Sequence, residues 1–345
     1  MTPGYEWKGQ AAVNRLNDPG VIIGTIFVML IFISGLAAPI IAPYSPNEQV
    51  LEYRHRPPGF SGQIIRYNIR SGLPFISTAI KEYSVEDNRI FAIDELDRDL
   101  QINIGSLEGA SVETGIKNIH FFLGSDQFGR DIFSRVIYGA RISISVGFSA
   151  SVIALIIGVL LGSLAGMNGG AIDTIIMRFT DIMFGFPTLL FLIGITAAVD
   201  PNLNTVFIAI GLVTWPGMAR LVRGQVLQIK EQEYIQSVKA LGLDKKNILL
   251  KHILPNSMAP IIVTFTLSIA GAIMAEASLS FLGLGAQPPT PSWGSMINSS
   301  KDFLRIAPWS SMAPGAAIAI AVLGFNLLGD SIRDQLDPSM KKVNR

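Results

Sequence analysis

The stretch ISISVGFSASVIALIIGVLLGSLAGM, residues 142–167, contains 26 residues and no charged side chain. A helix needs about 20 such residues to cross the hydrocarbon core of a bilayer, which is about 30 Å thick. Only helices and closed barrels satisfy their backbone groups in lipid, and the run VIALIIGVLLG lacks the alternation of a barrel strand. We therefore predict a membrane-spanning helix at this place.

Five further charge-free stretches have a similar length. They comprise 22, 18, 19, 23 and 24 residues, at positions 21–42, 182–199, 201–219, 253–275 and 306–329. The first is longer than the apolar core of a signal peptide, and Pro43 follows its candidate cleavage site, so we predict a retained helix at residues 21–42. The sequence thus predicts an all-α polytopic membrane protein with six transmembrane helices.

The composition excludes several classes of function. Charged residues make up only 15% of the chain, and 27 Lys+Arg nearly balance 26 Asp+Glu, so no basic field attracts nucleic acid. The chain has no cysteine and three histidines that lie far apart, which leaves no ligand set for zinc, haem or an iron–sulfur cluster. We expect no metal, no cofactor, no catalytic residue and no nucleic-acid partner on this chain.

The distribution of Lys and Arg predicts the orientation in the membrane. With the N-terminus inside, 14 of these residues fall in inside segments, whereas the short outside connections hold only Lys301 and Arg305. Positive residues in short loops mark the cytoplasmic side. We therefore predict that both termini are cytoplasmic, with tails at residues 1–20 and 339–345.

The long connection at residues 43–120 differs in composition, with 8 Lys/Arg and 11 Asp/Glu. Its runs GQIIRYNIR and LQINIG have β-strand character. We predict a small extracytoplasmic insert here, between the first and second spans, and a core with five transmembrane helices at residues 121–338. At residues 121–141, Phe128, Ile132 and Val136 recur at helical spacing, which predicts an interfacial amphipathic helix or else a soluble lead-in to the second span.

Small residues recur every fourth position in the second span. They are Ala150, Ala154, Gly158, Gly162 and Gly166. Such a row lets two helix backbones approach closely in lipid. It predicts close packing, either with a helix of this chain or with a partner subunit.

Prolines and a few polar residues mark the other spans. Each proline removes a helical hydrogen bond and permits a kink, which suits helices that line a pathway. The carboxylates lie at the ends of spans, whereas an ion-coupled carrier needs charge at mid-depth. From polarity and position we predict a substrate pathway that includes Asp181, Pro187, Trp215, Pro216, Glu276 and Asn326.

The largest predicted cytoplasmic connection is the loop at residues 220–255. Tyr234, Val238 and Leu241, together with Ile235, form an apolar stripe. Gly242 then ends the helix, and Asp244 caps a second one before the fifth span opens at Leu254-Pro255. The exposed stripe fits a groove on another protein, or a bilayer surface where nearby lysines meet anionic lipid.

This loop resembles the EAA loop of ABC-importer permeases, a coupling helix for the ATPase subunit. The triplet positions carry Gln236, Ser237 and Val238 instead of the residues that give the loop its name. The positions of Ala240 and Gly242 match the pattern, as does the later Leu254-Pro255. The resemblance implies ATPase coupling through Tyr234, Gln236, Ser237, Ala240, Gly242, Asp244, Leu254 and Pro255.

Three other motifs narrow the family. LGSDQFGRDIFSRVIYGARISISVG, EASLSFLGLGAQPPTPSWGSMI and APW…FNLLGDSIRDQLDP are similar to the C-type permease of oligopeptide, dipeptide and nickel ABC importers. The resemblance covers residues 121–338 and implies the type I ABC importer permease fold. It also implies a prokaryotic inner-membrane protein that pairs with a second homologous permease, two cytoplasmic ABC ATPases and an extracytoplasmic substrate-binding protein.

The expected function is non-catalytic transport. The chain has no G-x-x-x-x-G-K-[ST] loop, so ATP and Mg²⁺ are expected on the partner ATPases. We expect peptides to cross by alternating access. The alternatives are a permease for nickel or another small solute, an ion-coupled secondary transporter and an intramembrane enzyme.

Overall fold

The computed structural model describes residues 19–70, 73–199 and 202–336. The chain divides into two compact units. One comprises residues 34–142 and 287–317 and is called the insert unit; the other comprises residues 1–33, 143–286 and 318–345 and is called the helical unit. The predicted cytoplasmic tails at residues 1–20 and 339–345 lie outside the described residues, except that residues 19 and 20 already belong to the first helix.

The helices are α1 Pro19–Leu36, α2 Ala38–Ile41, α3 Val112–Gly115, α4 Ile132–Asn168, α5 Gly170–Gly185, α6 Thr188–Ala198, α7 Leu203–Lys230, α8 Glu233–Ala240, α9 Lys245–Ile248, α10 Leu254–Phe281, α11 Trp293–Ser300 and α12 Trp309–Leu336. Within the described ranges, five helices are long and apolar enough to cross a membrane, and the bent pair α5 and α6 makes a sixth if it is one span. The prediction of a six-span helical protein is confirmed on that count.

Two of the predicted spans are interrupted. The first ends at Leu36, and a short helix, α2, follows after Ala37. The third is not a single helix at residues 182–199, because α5 and α6 meet at an angle of 89°. Phe186 is extended before Pro187, as residues that precede proline tend to be, and Pro187 has no N–H to continue the α5 ladder.

The row of small residues on α4 packs against α7 of the same chain. A Cβ on Gly158 would lie 2.5 Å from Cβ of Met218, and one on Gly166 would lie 2.7 Å from Cβ of Val226. A Cβ on Gly162 would collide with the carbonyl oxygen of Ala219. Because lipid supplies no hydrophobic drive between helices, this backbone approach is what holds the two helices together. Of the two open alternatives, packing within the chain is therefore the one that the structure adopts.

The insert unit contains a five-stranded antiparallel sheet in the order β4-β3-β2-β1-β5. Its strands are β1 Phe60–Tyr67, β2 Ile76–Glu86, β3 Arg89–Asp94, β4 Asp99–Asn103 and β5 Ile116–Phe121. The β-leaning runs of the sequence fall on β1 and β4, so the prediction of an all-α chain is wrong for this insert. Each face of the sheet carries its own apolar cluster, one around Tyr53 and Ile64 and the other around Ile65 and Ile90.

Tyr53 fixes one face of the sheet to the chain before it. Its hydroxyl donates to the carbonyl of Gln63 at 2.9 Å and accepts from the Gln63 N–H at 3.0 Å. Burial raises the pKa of Tyr53 to about 12, so the hydroxyl keeps its proton at neutral pH. Gly62 leaves the space that this hydroxyl occupies, since a Cβ there would collide with it.

The expected amphipathic helix at residues 121–141 is wrong. Phe121 ends β5, a loop follows, and α4 begins only at Ile132. Gly124 and Gly129 have φ angles of 77° and 69°, which interrupt a right-handed helix. The alternative, a lead-in to the second span, describes the segment correctly.

A buried ion pair organises this lead-in. Arg130 donates from Nε to Asp126 Oδ2 at 2.7 Å, and the other Asp126 oxygen accepts from the backbone N–H of Phe128 and Arg130. The neighbouring Ser125 carbonyl accepts from the indole N–H of Trp309 at 3.4 Å. The motif LGSDQFGRD is therefore a structural junction at the start of α4.

We predict that Gly162→Leu disrupts the contact between α4 and α7. Overpacking of a close contact costs about 1–3 kcal/mol, and the backbone of α7 cannot move aside as a side chain could. Gly194→Leu is the matched control, because a Cβ at Gly194 meets no other atom within 4 Å. Thermal unfolding in detergent should show a lower midpoint for Gly162→Leu alone; equal midpoints for the two variants would contradict the packing.

Candidate coupling surface and substrate pathway

Helix α8 is anchored to the helical unit by its inner face. Ile235 is only 2% exposed and packs in a cluster with Val226 and Ile229 of α7. Ile248 and Ile253, which follow on the other side of Gly242, complete the same cluster. Helix α8 is thus held both by α7 and by the start of the next span.

The turn after α8 requires glycine for its backbone conformation. Gly242 has a φ angle of 85°, and its N–H donates to the Lys239 carbonyl at 3.0 Å. The N–H of Leu241 donates to the Ser237 carbonyl at 3.1 Å, so the last carbonyls of α8 are satisfied as in a glycine C-cap. A Cβ here would meet no atom within 4 Å, so the constraint is conformational and not steric.

The predicted apolar stripe divides between two faces. Ile235 is buried and Val238 is half-buried, whereas Tyr234 is 41% exposed and Leu241 is 80% exposed. The stripe therefore has an inner part that anchors α8 and an outer part that is free to meet another surface.

The other predicted coupling residues are polar or terminal. The Gln236 side-chain amide donates to the Lys230 carbonyl at 3.0 Å, and the Ser237 hydroxyl donates to the Glu233 carbonyl at 3.1 Å. Ala240 is the last residue of α8. Asp244 stands at the N-cap of α9 as predicted, but its carboxylate accepts from the side chain of Asn247 and makes no capping bond to the backbone.

The fifth span begins earlier than Leu254-Pro255. A continuous helix runs over Lys245–Phe281 and includes a π-helical turn at Leu249–Ile253. Pro255 has no N–H for the carbonyl four residues before it, and the wider turn lies directly before this proline. The second short helix of the predicted loop is thus the first turn of the span itself.

Two predicted pathway residues lie along one contact between α5 and α7. Arg220 of α7 donates to Asp181 of α5 at 2.7 Å, and the ring of Trp215 stacks on that of Phe179 at 5.9 Å between centroids. Pro216 is buried beside Trp215. Pro187 is exposed at the bend between α5 and α6.

A second ion pair strengthens the same contact. The Nε and Nη2 atoms of Arg223 donate to the two carboxylate oxygens of Asp173 at 2.5 and 2.6 Å. These side chains are 31% and 17% exposed, against 51% and 53% for Arg220 and Asp181. A two-pronged, partly buried pair fixes geometry more strongly than an exposed pair does, so Asp173 and Arg223 are the main polar link between α5 and α7.

The structure does not bring Glu276 and Asn326 to this contact. Glu276 is fully buried, and its carboxylate accepts from Ser143 at 3.0 Å and from Ser280 at 2.6 Å, which joins α10 to α4. Asn326 is half-buried on α12. For both, a role in the pathway stays a prediction.

Sequence reasoning missed a polar cleft in the helical unit. The cleft has a volume of about 910 Å³, and its wall includes Gln225, Gln228, Gln232, Asn256 and Arg333. We call it the glutamine cleft. The three glutamines follow one another at i, i+3 and i+7 in GQVLQIKEQ, a spacing that places them on one side of a helix. All three lie in the predicted cytoplasmic loop at residues 220–255, where no pocket was expected.

Comparison with known proteins identifies the class. The family described as binding-protein-dependent transport system inner membrane component matches residues 158–342, and the N-terminal TM domain of oligopeptide transport permease C matches residues 16–58. The first match covers more than half of the chain. The chain belongs to this family of inner-membrane transport components.

Named relatives are similar over most of the chain. The dipeptide transport system permease protein DppC of Alkalihalophilus pseudofirmus is 49% identical over 68% of this chain and 75% of its own length. The di/tripeptide transport system permease protein DppC of Pseudomonas aeruginosa is 36% identical over 95% of this chain and 90% of its own length. The oligopeptide transport system permease protein OppC of Bacillus subtilis is 46% identical over 65% of this chain and 73% of its own length.

The fold is similar to that of a solved transporter. The MetNI methionine ABC transporter in an inward-facing conformation matches with a TM-score of 0.50 and 16% sequence identity, over 60% of this chain and 98% of that chain. The predicted type I importer permease fold is confirmed, with the sheet of the insert unit as the difference from an all-α chain.

We predict that the Asp173–Arg223 pair couples energetically. Asp173→Asn leaves the Arg223 guanidinium without its carboxylate, so the midpoint of thermal unfolding falls. Asp173→Arg and Arg223→Asp should each lower the midpoint as single variants, and the two together should restore part of that loss. We expect an interaction energy of about 1 kcal/mol from the double-mutant cycle. Asp181→Asn is the control and should cost less, because its pair is more exposed. Additive effects of the two charge exchanges would contradict the link.

Proposed function

We propose that this chain forms half of the translocation pathway of an ATP-driven importer for di- or oligopeptides. The names of its relatives support this substrate class, since they are dipeptide, di/tripeptide and oligopeptide permeases. The other half of the pathway is a second permease of the same family. An extracytoplasmic binding protein delivers the peptide.

The observation that carries the proposal is the arrangement of α8. Its inner face is fixed to α7 and to the Lys245–Phe281 helix, while Leu241 and half of Tyr234 face outward. An apolar rim on a firmly held short helix suits a groove on another protein. Two ABC ATPases, which carry the ATP and Mg²⁺, dock on α8 and its counterpart in the second permease. This chain itself performs no catalysis.

The pathway opens by rigid-body motion of spans in this proposal. Closure of the ATPases pushes α8, and the push passes to the two long helices on either side of it. Pro216 and Pro260 lie inside those helices, and the bend before Pro187 separates α5 from α6, so each can act as a hinge. The peptide then passes Asp181, Trp215 and their neighbours by alternating access.

The proposed orientation places both termini and α8 in the cytoplasm. Lys239, Lys245, Lys246 and Lys251 are exposed around α8, in agreement with the positive-inside rule. The sheet of the insert unit is then extracytoplasmic, on the side from which the binding protein approaches.

The test is affinity purification of this chain from native membranes in mild detergent. We expect the wild-type chain to bring a second permease and ATPase subunits, with ATPase activity in the eluate. Gly242→Val should keep the second permease and lose most of the ATPases, because a β-branched residue at a positive φ costs about 1–3 kcal/mol and moves the end of α8.

Gly59→Val is the matched control for this experiment. Gly59 has a φ of 79°, and a Cβ added there would meet no atom within 4 Å, so the substitution introduces similar strain in the insert unit, which does not include α8. It should retain the ATPases. A wild-type chain that purifies without any ATPase, or equal ATPase recovery with Gly242→Val, would contradict the proposed coupling.

A further inference from the structure

The glutamine cleft has one wall of side-chain amides. Gln225, Gln228 and Gln232 line it from α7 and the residues directly after it. Among the described residues, none of these three side chains takes part in a hydrogen bond or ion pair within the chain. A carboxamide offers both an N–H donor and a C=O acceptor, as a peptide bond does. This wall can therefore pair with the main chain of an extended peptide.

Another part of the wall comes from α10 and adds further polar groups. Asn256, Pro260 and Thr264 line it at intervals of four residues. Pro260 has no N–H, so the main-chain carbonyl of Asn256 lacks its usual helical donor and offers an acceptor near the cleft. The side-chain amide of Asn256 donates to the hydroxyl of Tyr234 at 3.2 Å, which connects this wall to α8.

The charge of the cleft is one-sided. Among the described residues that line the cleft, Arg333 of α12 is the single ionised one, and none is Asp or Glu. Within the described part of the chain, the guanidinium of Arg333 forms no ion pair. A lone guanidinium beside neutral amides attracts a carboxylate and offers no partner to an ammonium group.

The size and apolar parts of the cleft fit a short peptide. A volume of about 910 Å³ lies within the range of about 300–1,000 Å³ for small-ligand pockets. Leu221, Val263 and Leu267 contribute apolar surface between the polar groups. Such surface accepts varied side chains, while the amides contact the main chain that all peptides share.

We propose that the glutamine cleft is a substrate subsite that holds a peptide by its main chain and its C-terminal carboxylate, next to α8. This inference rests on the proposed function as a peptide permease. Recognition through main chain and carboxylate does not depend on the peptide's sequence. Because Tyr234 belongs both to the cleft wall and to α8, a bound peptide touches the helix that we assign to ATPase coupling.

The experiment measures peptide binding to the purified complete transporter in nanodiscs, without binding protein or nucleotide, by saturation-transfer NMR. The probes are trialanine, N-acetyl-trialanine and trialanine amide. We expect acetylation to leave Kd unchanged, because none of the described residues that line the cleft is acidic and could pair with the ammonium group. Amidation should raise Kd about tenfold, since it removes a charge-assisted hydrogen bond.

Three variants locate the effect. Arg333→Gln should raise the Kd of trialanine about tenfold and abolish the difference between acid and amide. Gln228→Leu should weaken all three probes alike. Arg178→Gln is the matched control, an exposed arginine of α5 outside the cleft, and should leave all three values as in the wild type.

Several outcomes would overturn the subsite. These are binding that Arg333→Gln and Gln228→Leu leave unchanged, a stronger loss on acetylation than on amidation, and no trialanine binding by a transporter that still imports trialanine with its binding protein. A phospholipid retained in native mass spectrometry, lost in Arg333→Gln and not displaced by trialanine, would assign the arginine to a lipid headgroup. Failure of the wild type to import any peptide would instead contradict the proposed function.

Discussion

The close approach of α4 and α7 is the contact on which the helical unit depends. In a bilayer, apolar side chains gain nothing by leaving lipid for another helix, so association requires close packing or polar links. The row from Gly158 to Gly166 supplies the packing, because each missing side chain admits part of α7. Helix α7 then carries the partners of α5, through Arg220 and Arg223, and packs against α10 as well.

This central position of α7 supports the coupling role that we propose for α8. Helix α8 follows α7 directly, and Ile235 returns to the same apolar cluster as Val226. After Gly242 the chain enters the Lys245–Phe281 helix almost at once. A π-helical turn at Leu249–Ile253 lies within this helix, so no loop separates its first turn from the span. Two spans are therefore joined directly to the short helix, one on each side of it in the sequence.

The sequence was sufficient for the number of spans but not for their shapes. A long charge-free stretch predicts a span because the thickness of the bilayer sets the number of apolar residues that a span needs. The prediction was correct even for the first span, which the structure divides into α1 and α2. The bend before Pro187 was harder to predict, since a proline permits a kink without fixing its size. The helix expected at residues 121–141 failed because two glycines with positive φ and the Asp126–Arg130 pair override the apolar spacing.

The candidate coupling surface and the glutamine cleft were likewise predictable only in part. The position of Gly242 and the helix on each side of it followed from local rules of helix termination. The partner of the small-residue row did not, because periodicity shows that a face packs and not what it packs against. The glutamine cleft was missed because its three glutamines fall in the stretch predicted to be a cytoplasmic loop, residues 220–255, and only the fold brings Arg333 of α12 beside them.

The central claim is that α8 couples this chain to an ATPase on the cytoplasmic side. The chain contains no cysteine, so a single introduced thiol reports on one position. Leu241→Cys, on the outer rim of α8, should react with a thiol-to-amine cross-linker to join an ATPase subunit and should resist a membrane-impermeant maleimide in intact cells. Leu96 of the insert unit is 62% exposed. Leu96→Cys should react with the impermeant maleimide in intact cells and should form no cross-link to an ATPase subunit. Labelling of Leu241→Cys from outside, or cross-links from it to lipid and to no ATPase, would contradict the account.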